Sequence, residues 1–197
     1  MEIDRNLGKL FGTMGNQYEA RIGYPKTLIN DILTYSNLHA GNTLLEIGCG
    51  LGQATRAFAE TGLHVVGLDS SPELINIATK KFSHYSNVRF LCSTFENMTL
   101  PPTSYDALAS AMAWHWLDPS LAYQKAHASL TSKGTLALFW SYQERETSPF
   151  VQEVSITLDS YAPFPHAGPA GPRVKHIALA TLERLKESNF FDPLETK

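Results

Sequence analysis

The stretch Thr43-Leu44-Leu45-Glu46-Ile47-Gly48-Cys49-Gly50-Leu51-Gly52 decides the reading of this chain. After Thr43, the run to Ile47 is apolar and interrupted only by Glu46, the pattern of a strand buried on both faces of a parallel sheet. Glycines at alternate positions follow. A helical pattern opens near Gly52, with Ala54, Ala57 and Phe58 on one face and Gly62 as its stop. Strand, glycine loop and helix in that order put the loop at the C-terminal end of a strand, where open α/β sheets bind ligands. Glycine permits positive φ there and lets a ligand approach the backbone with no Cβ in the way. A dinucleotide fingerprint, GxGxxG, needs its third glycine at position 53, which is Gln53. The GxGxG spacing, with an acid two residues ahead, suits a nucleoside bearing an amino acid better than one bearing a pyrophosphate. The alternative is that the glycines form only a tight turn.

Outward from the loop, strands and helices alternate. His64 to Leu68 reads as a second strand ending at Asp69, and Ser70-Ser71-Pro72-Glu73 combines a cap, a first-turn proline and an early acid. Leu74, Ile77, Ala78 and Phe82 continue that helix. Val88 to Cys92, Asp106 to Ala111 and Thr135 to Trp140 read as strands three to five, with a helix from about Pro119 to Leu130 before the last. The class is α/β, with a doubly wound, mainly parallel sheet and helices on both faces. Asp69 stands about 20 residues past the glycine loop, where an acid holds a ribose diol. Its carboxylate accepts two hydroxyl hydrogen bonds, and capping the helix at Pro72 is a compatible second role.

Composition excludes several classes. The 197 residues are 43% hydrophobic and 18% charged, enough apolar material for one sizeable core. The net charge of −3, and a basic cluster no larger than Lys80, Lys81 and Arg89, argue against a nucleic-acid partner. No apolar run approaches the ~18 residues of a membrane span. Met1-Glu2-Ile3-Asp4 lacks the basic-then-apolar order of a secretory leader, so a cytoplasmic protein is expected. Cys49 and Cys92 form no zinc spacing, and the histidines show no HxxxH, so no metal site is expected. Cys49, with no histidine near it in sequence, reads as a small buried residue.

Glu46-x-Gly48-x-Gly50-x-Gly52 with Asp69 resembles the class I S-adenosylmethionine (SAM) dependent methyltransferases, which have a Rossmann-like fold. Tyr18-x-x-Arg21-x-x-Tyr24-Pro25, Phe95-Glu96, Ala113-Trp114-His115-Trp116-Leu117-Asp118 and Phe139-Trp140-Ser141-Tyr142 resemble its methyltransferase type 11, trans-aconitate methyltransferase-like branch. The resemblance implies SAM as cofactor, S-adenosylhomocysteine (SAH) as product and a small-molecule acceptor. It places Tyr18, Glu46, Gly48, Cys49, Gly50, Gly52, Asp69, Ser70, Leu74, Thr94, Phe95, Glu96 and Ala111 at the cofactor, Glu46 supporting either the loop or the amino group. Thr94 falls where an acid to adenine is common, and Phe95 is offered as a stacking partner. Met112 falls with Ala111 beside the transferable methyl. His115 is the candidate catalytic residue, as general base, substrate-orienting group or structural histidine. Arg21, Trp114 and Trp116 are candidates for the acceptor side, the tryptophans as pocket wall or core.

Three regions are expected: an N-terminal helical segment, 1–40, covering the cofactor; a cofactor-binding core, 41–145; and C-terminal helices with a Pro/Gly-rich loop, 146–197. Residues 162–172 are too rich in proline to be helix or central strand and read as a connecting loop or a lid, followed by a helix from about Val174 to Asn189. The sequence supplies five strands, with Leu194-Glu195-Thr196 as the start of a sixth. The sheet is therefore expected to lack its last one or two strands, leaving strand five an apolar edge. A carboxylic acid is the favoured methyl acceptor. The competing readings are a non-catalytic SAM-binding scaffold and, disfavoured by Gln53, a nicotinamide-dependent oxidoreductase.

Overall fold

The computed structural model describes residues 23–141, 149, 153 and 170–192. Its elements are α1 (Lys26–Tyr35), β1 (Thr43–Ile47), α2 (Gln53–Ala59), β2 (His64–Asp69), α3 (Pro72–Lys81), β3 (Val88–Cys92), β4 (Tyr105–Ala111), a 3-10 turn (Trp114–Trp116), α4 (Pro119–Ser129), β5 (Leu130–Phe139) and α5 (Ala170–Glu187). The strands form one parallel sheet in the order β3-β2-β1-β4-β5. The chain winds outward from β1 to β3, then returns to the other side of β1 for β4. That reversal opens a crevice above the C-terminal ends of β1 and β4.

Alternation along each strand builds a core on either face of the sheet. Leu44, Val65, Ala107 and Ala109 meet Ile29 of α1 and Phe58 of α2. Leu45, Ile47, Val66, Leu68 and Leu108 face the other way and meet Trp114, Tyr123 of α4 and Leu185 of α5. Leu44 and Leu45 are both fully buried, so β1 is covered on both faces. Each such side chain contributes roughly 1.5–3 kcal/mol relative to exposure.

The helix starts follow their local chemistry. Ser71 Oγ accepts the Leu74 N–H at 3.3 Å, Pro72 occupies the first turn, and Lys80 and Lys81 sit in the last turn of α3, where cations suit the helix dipole. Asp118 caps α4 in the same way, accepting the Ser120 N–H at 3.0 Å ahead of Pro119.

Two boundaries differ from the sequence reading. Strand five begins at Leu130, not Thr135: Leu130 pairs with Tyr105 and Thr135 with Ala107, so the intervening residues bulge out of register. Lys133 and Gly134 lie in that bulge. The last helix begins at Ala170, so the end of the Pro/Gly-rich segment is helical. Pro172 falls in its first turn, where a missing N–H costs no intrahelical bond. Residues 162–169, Leu194-Glu195-Thr196 and Tyr142 lie outside the described residues. β5 is an edge strand of the described sheet. Among the described residues no helix is long and apolar enough to cross a membrane.

Candidate active site

The loop after β1 is held mainly by its own protein. Gly48 and Cys49 both donate their N–H to Leu68 O, at 2.8 and 3.0 Å, and Gly52 donates to Cys49 O at 2.9 Å. Gly50 donates to Asp69 Oδ2 at 2.9 Å. These N–H groups already have partners, so the glycines make room more than they cradle a ligand. Gly48 (φ 73°) and Gly52 (φ 84°) are left-handed. A Cβ on Gly48 would clash with Ala113 Cβ, and one on Gly52 would stand 2.6 Å from the Phe82 ring. Cys49 is buried, as read from the sequence, and burial pushes its thiol well above the usual range.

Asp69 ties the two sides of the crevice together. Oδ2 receives the Gly50 N–H, and Oδ1 receives the Ser71 N–H at 2.9 Å. An ionised carboxylate has about four lone-pair sites, so roughly two remain for a diol. The residue is half-buried, open enough to be reached. The cap of α3 is Ser71, so Asp69 is not needed for that role. Ser70 is exposed, whereas Leu74 is buried.

Glu46, 1% exposed, receives the Thr55 hydroxyl on Oε2. Burial, with a lesser push from the Asp69 charge, raises its carboxyl to about 8 against the opposing Thr55 hydrogen bond. It is therefore mostly neutral at pH 7, and its bond to α2 fits a support for the loop.

After β3 the structure departs from expectation. Phe95 is 2% exposed and packs at 6.1 Å on Trp114 in the core, so it does not line the crevice. Thr94 is exposed and accepts the Asn97 N–H at 3.2 Å. Glu96 accepts the Asp118 N–H at 3.0 Å, a link between loops. A residue-by-residue alternation cannot be projected through this turn, and the core claimed the aromatic side chain.

At the end of β4, Ala111 is half-buried and Met112 takes a left-handed φ of 59°, turning the chain so that Ala113 lies against Gly48. Trp114 is buried between Phe95 and Tyr123, the latter 5.4 Å away, and is thus core. Trp116 is half-buried, its ring 4.7 Å from that of His115. His115 Nδ1 accepts the Trp140 indole N–H at 3.2 Å. Burial lowers the imidazole to about 4. A small recess beside it is lined by His115, Trp114, Tyr123 and Thr181 with Arg184 of α5.

The structure thus brings Glu46, the glycine loop and Asp69 together, with Ala111 at the end of the strand beside β1 and Met112 just past it. Tyr18 and Arg21 lie outside the described residues. Sequence reasoning missed the contact of Ala113 with Gly48, the bond from Trp140 to His115, and Arg184. None carries a local signal, since each depends on strands or helices meeting across the fold.

A doubly wound parallel sheet in this order, with a GxGxG loop hydrogen-bonded to an acid at the end of β2, is the fold of the class I SAM-dependent methyltransferases. Residues 45–138 match the family described as "Methyltransferase domain", and the chain carries such a domain, whose class uses SAM as cofactor. The chain is 32% identical over 142 residues to "Probable S-adenosylmethionine-dependent methyltransferase CRG1" of Saccharomyces cerevisiae, covering 69% of this chain and 47% of that one. It is 26% identical over 118 residues to a malonyl-[acyl-carrier protein] O-methyltransferase of Marinomonas, covering 59% of this chain and 44% of the relative. The chain thus spans about half the length of these curated relatives. A candidate SAM-dependent methyltransferase from Methanococcus maripaludis shares the fold, with a TM-score of 0.66 and 17% identity over 96% of this chain and 86% of that one.

Proposed function

We propose that this protein transfers a methyl group from SAM to a small molecule through a carboxylic acid. The observation that carries the cofactor half is Asp69, fixed by the Gly50 and Ser71 N–H groups with lone pairs to spare for a ribose diol. In this reading the glycine loop, 48–52, faces the methionine portion, and Glu46 braces it as a neutral acid. Ser70 and Thr94 lie toward the adenine. SAM supplies a methyl group on a cationic sulfur, open to in-line displacement.

Such displacement asks the protein for alignment more than for acid–base help. A carboxylate is already a nucleophile, whereas a hydroxyl or amine must lose a proton to a base. His115, with its proton affinity lowered to about 4, is a poor base at neutral pH and serves better to orient the acceptor. The likeness to an O-methyltransferase named for a malonyl group supports the acid. The division into an N-terminal segment covering the cofactor, 1–40, a cofactor core, 41–145, and C-terminal helices with a Pro/Gly-rich loop, 146–197, belongs to the same proposal. No membrane or nucleic-acid partner enters it.

The test is transfer of labelled methyl from SAM to a panel of carboxylic acids, alcohols and amines. Label in an acid, released by mild alkali as from an ester, is the expected result. Label confined to amines or alcohols contradicts the acceptor assignment, and SAH binding without transfer to any class favours the scaffold. With an acid as acceptor, His115→Ala should lower turnover by a factor that changes little from pH 6 to 9. A wild-type limb near pH 4, where burial places the imidazole, that disappears in His115→Gln would make His115 the base.

A further inference from the structure

His115 and Trp140 allow each other one arrangement. An indole N–H donates and never accepts. The 3.2 Å contact from Trp140 Nε1 to His115 Nδ1 therefore requires the lone pair on Nδ1. In the neutral ring the proton then sits on Nε2, for which no hydrogen bond is seen among the described residues. The half-buried ring is also held by Trp116, 4.7 Å away. The titratable and charged groups that line the adjoining recess are Tyr123 of α4 and Arg184 of α5. Burial of the ring opposes a positive charge on the imidazole.

We infer that Trp140 is a positioning residue that locks His115 as an Nε2–H donor, and that this donor recognises an anionic carboxylate oxygen of the acceptor. The inference rests on the methyl-transfer reading for the presence of an acceptor, and goes beyond it by fixing the tautomer and its cause. The locked ring offers a hydrogen but no lone pair. An amine or alcohol nucleophile, which must give up a proton, finds no acceptor on it. A carboxylate finds a donor, and the exposed Arg184 also borders the recess.

The experiment is long-range proton–nitrogen correlation NMR on protein labelled with 15N-histidine, from pH 5.5 to 8, with SAH present. The wild type should show His115 with Nε2 protonated and Nδ1 bare throughout. Trp140→Phe, which keeps an aromatic ring but loses the donor, should give a mixture of tautomers. Titration with malonate should shift the wild-type Nε2 signal, whereas 1,3-diaminopropane should not. Malonate should bind Trp140→Phe more weakly in proportion to the lost Nε2–H fraction, about twofold for an even mixture of tautomers.

A wild-type Nδ1–H tautomer, or an imidazolium at pH 7, overturns the inference even if Trp140→Phe fails to fold. An unchanged tautomer in folded Trp140→Phe overturns the role of Trp140. A response to the diamine and not to malonate overturns the carboxylate. Calorimetry with SAH on the same samples separates the two readings: absent SAH binding contradicts methyl transfer, while the tautomer speaks to His115 alone.

Discussion

Glu46 sits in the middle of a buried strand, and its only sequence signal is an acid where apolar residues surround it. Folded, its carboxyl titrates near 8; unfolded, it titrates near the ordinary 4.5. Between those values the folded state holds a proton that the unfolded chain has released. Stability is therefore fully present below about pH 4.5 and declines as pH rises toward 8. Glu46→Gln keeps the shape without the proton, so chemical denaturation at pH 5 and 8.5 should show a smaller loss in the variant. An identical pH dependence in both proteins would mean that Glu46 ionises normally. Gly48 makes a different demand. Gly48→Ala must take a left-handed φ and meet Ala113, and strain plus overpacking should cost roughly 1–3 kcal/mol, read as a lowered melting temperature. The glycine pattern was legible in the sequence, but its reason was not, because Ala113 is distant along the chain and reaches Gly48 only through β4.

At the scale of elements, what was legible is what local physics controls. The apolar runs of β1, β2 and β4 could be read directly because strands of a parallel sheet are buried on both faces. The start of α3 was equally plain, since Ser71, Pro72 and Glu73 act within one turn. Ser71→Ala should cost about 1 kcal/mol, typical of a lost N-cap, and a thermal melt should register it. A cost near zero would mean that the α3 N-terminus is held by Asp69 and the Ser71 N–H alone. The start of β5 was not legible. The sequence reading began the strand at Thr135, yet the pairing of Leu130 with Tyr105 draws it back past residues 131–134. The turn after β3 failed for a related reason: Phe95 was offered to adenine, and Trp114, approaching from beyond β4, claimed it for the core.

For the whole molecule, the order β3-β2-β1-β4-β5 brings Asp69 and the glycine loop, 19 residues apart in sequence between Gly50 and Asp69, into one hydrogen-bonded unit. That adjacency was legible, because an alternating α/β pattern and the right-handed crossover leave few ways to arrange the first two strands. The acceptor side was less so. As proposed, it depends on Trp140 just past β5, the 3-10 turn and Arg184 from α5, three regions with no shared sequence signature. The central claim is that Asp69 and its loop hold the nucleoside of SAM. The most direct measurement is titration calorimetry of SAH into wild-type and Asp69→Ala protein, with NAD(H) in parallel. The wild type should bind SAH and not NAD(H), and Asp69→Ala, still folded, should bind SAH roughly tenfold to a hundredfold more weakly. Equal SAH affinity in the two proteins, or binding of NAD(H) in preference to SAH, would contradict the account.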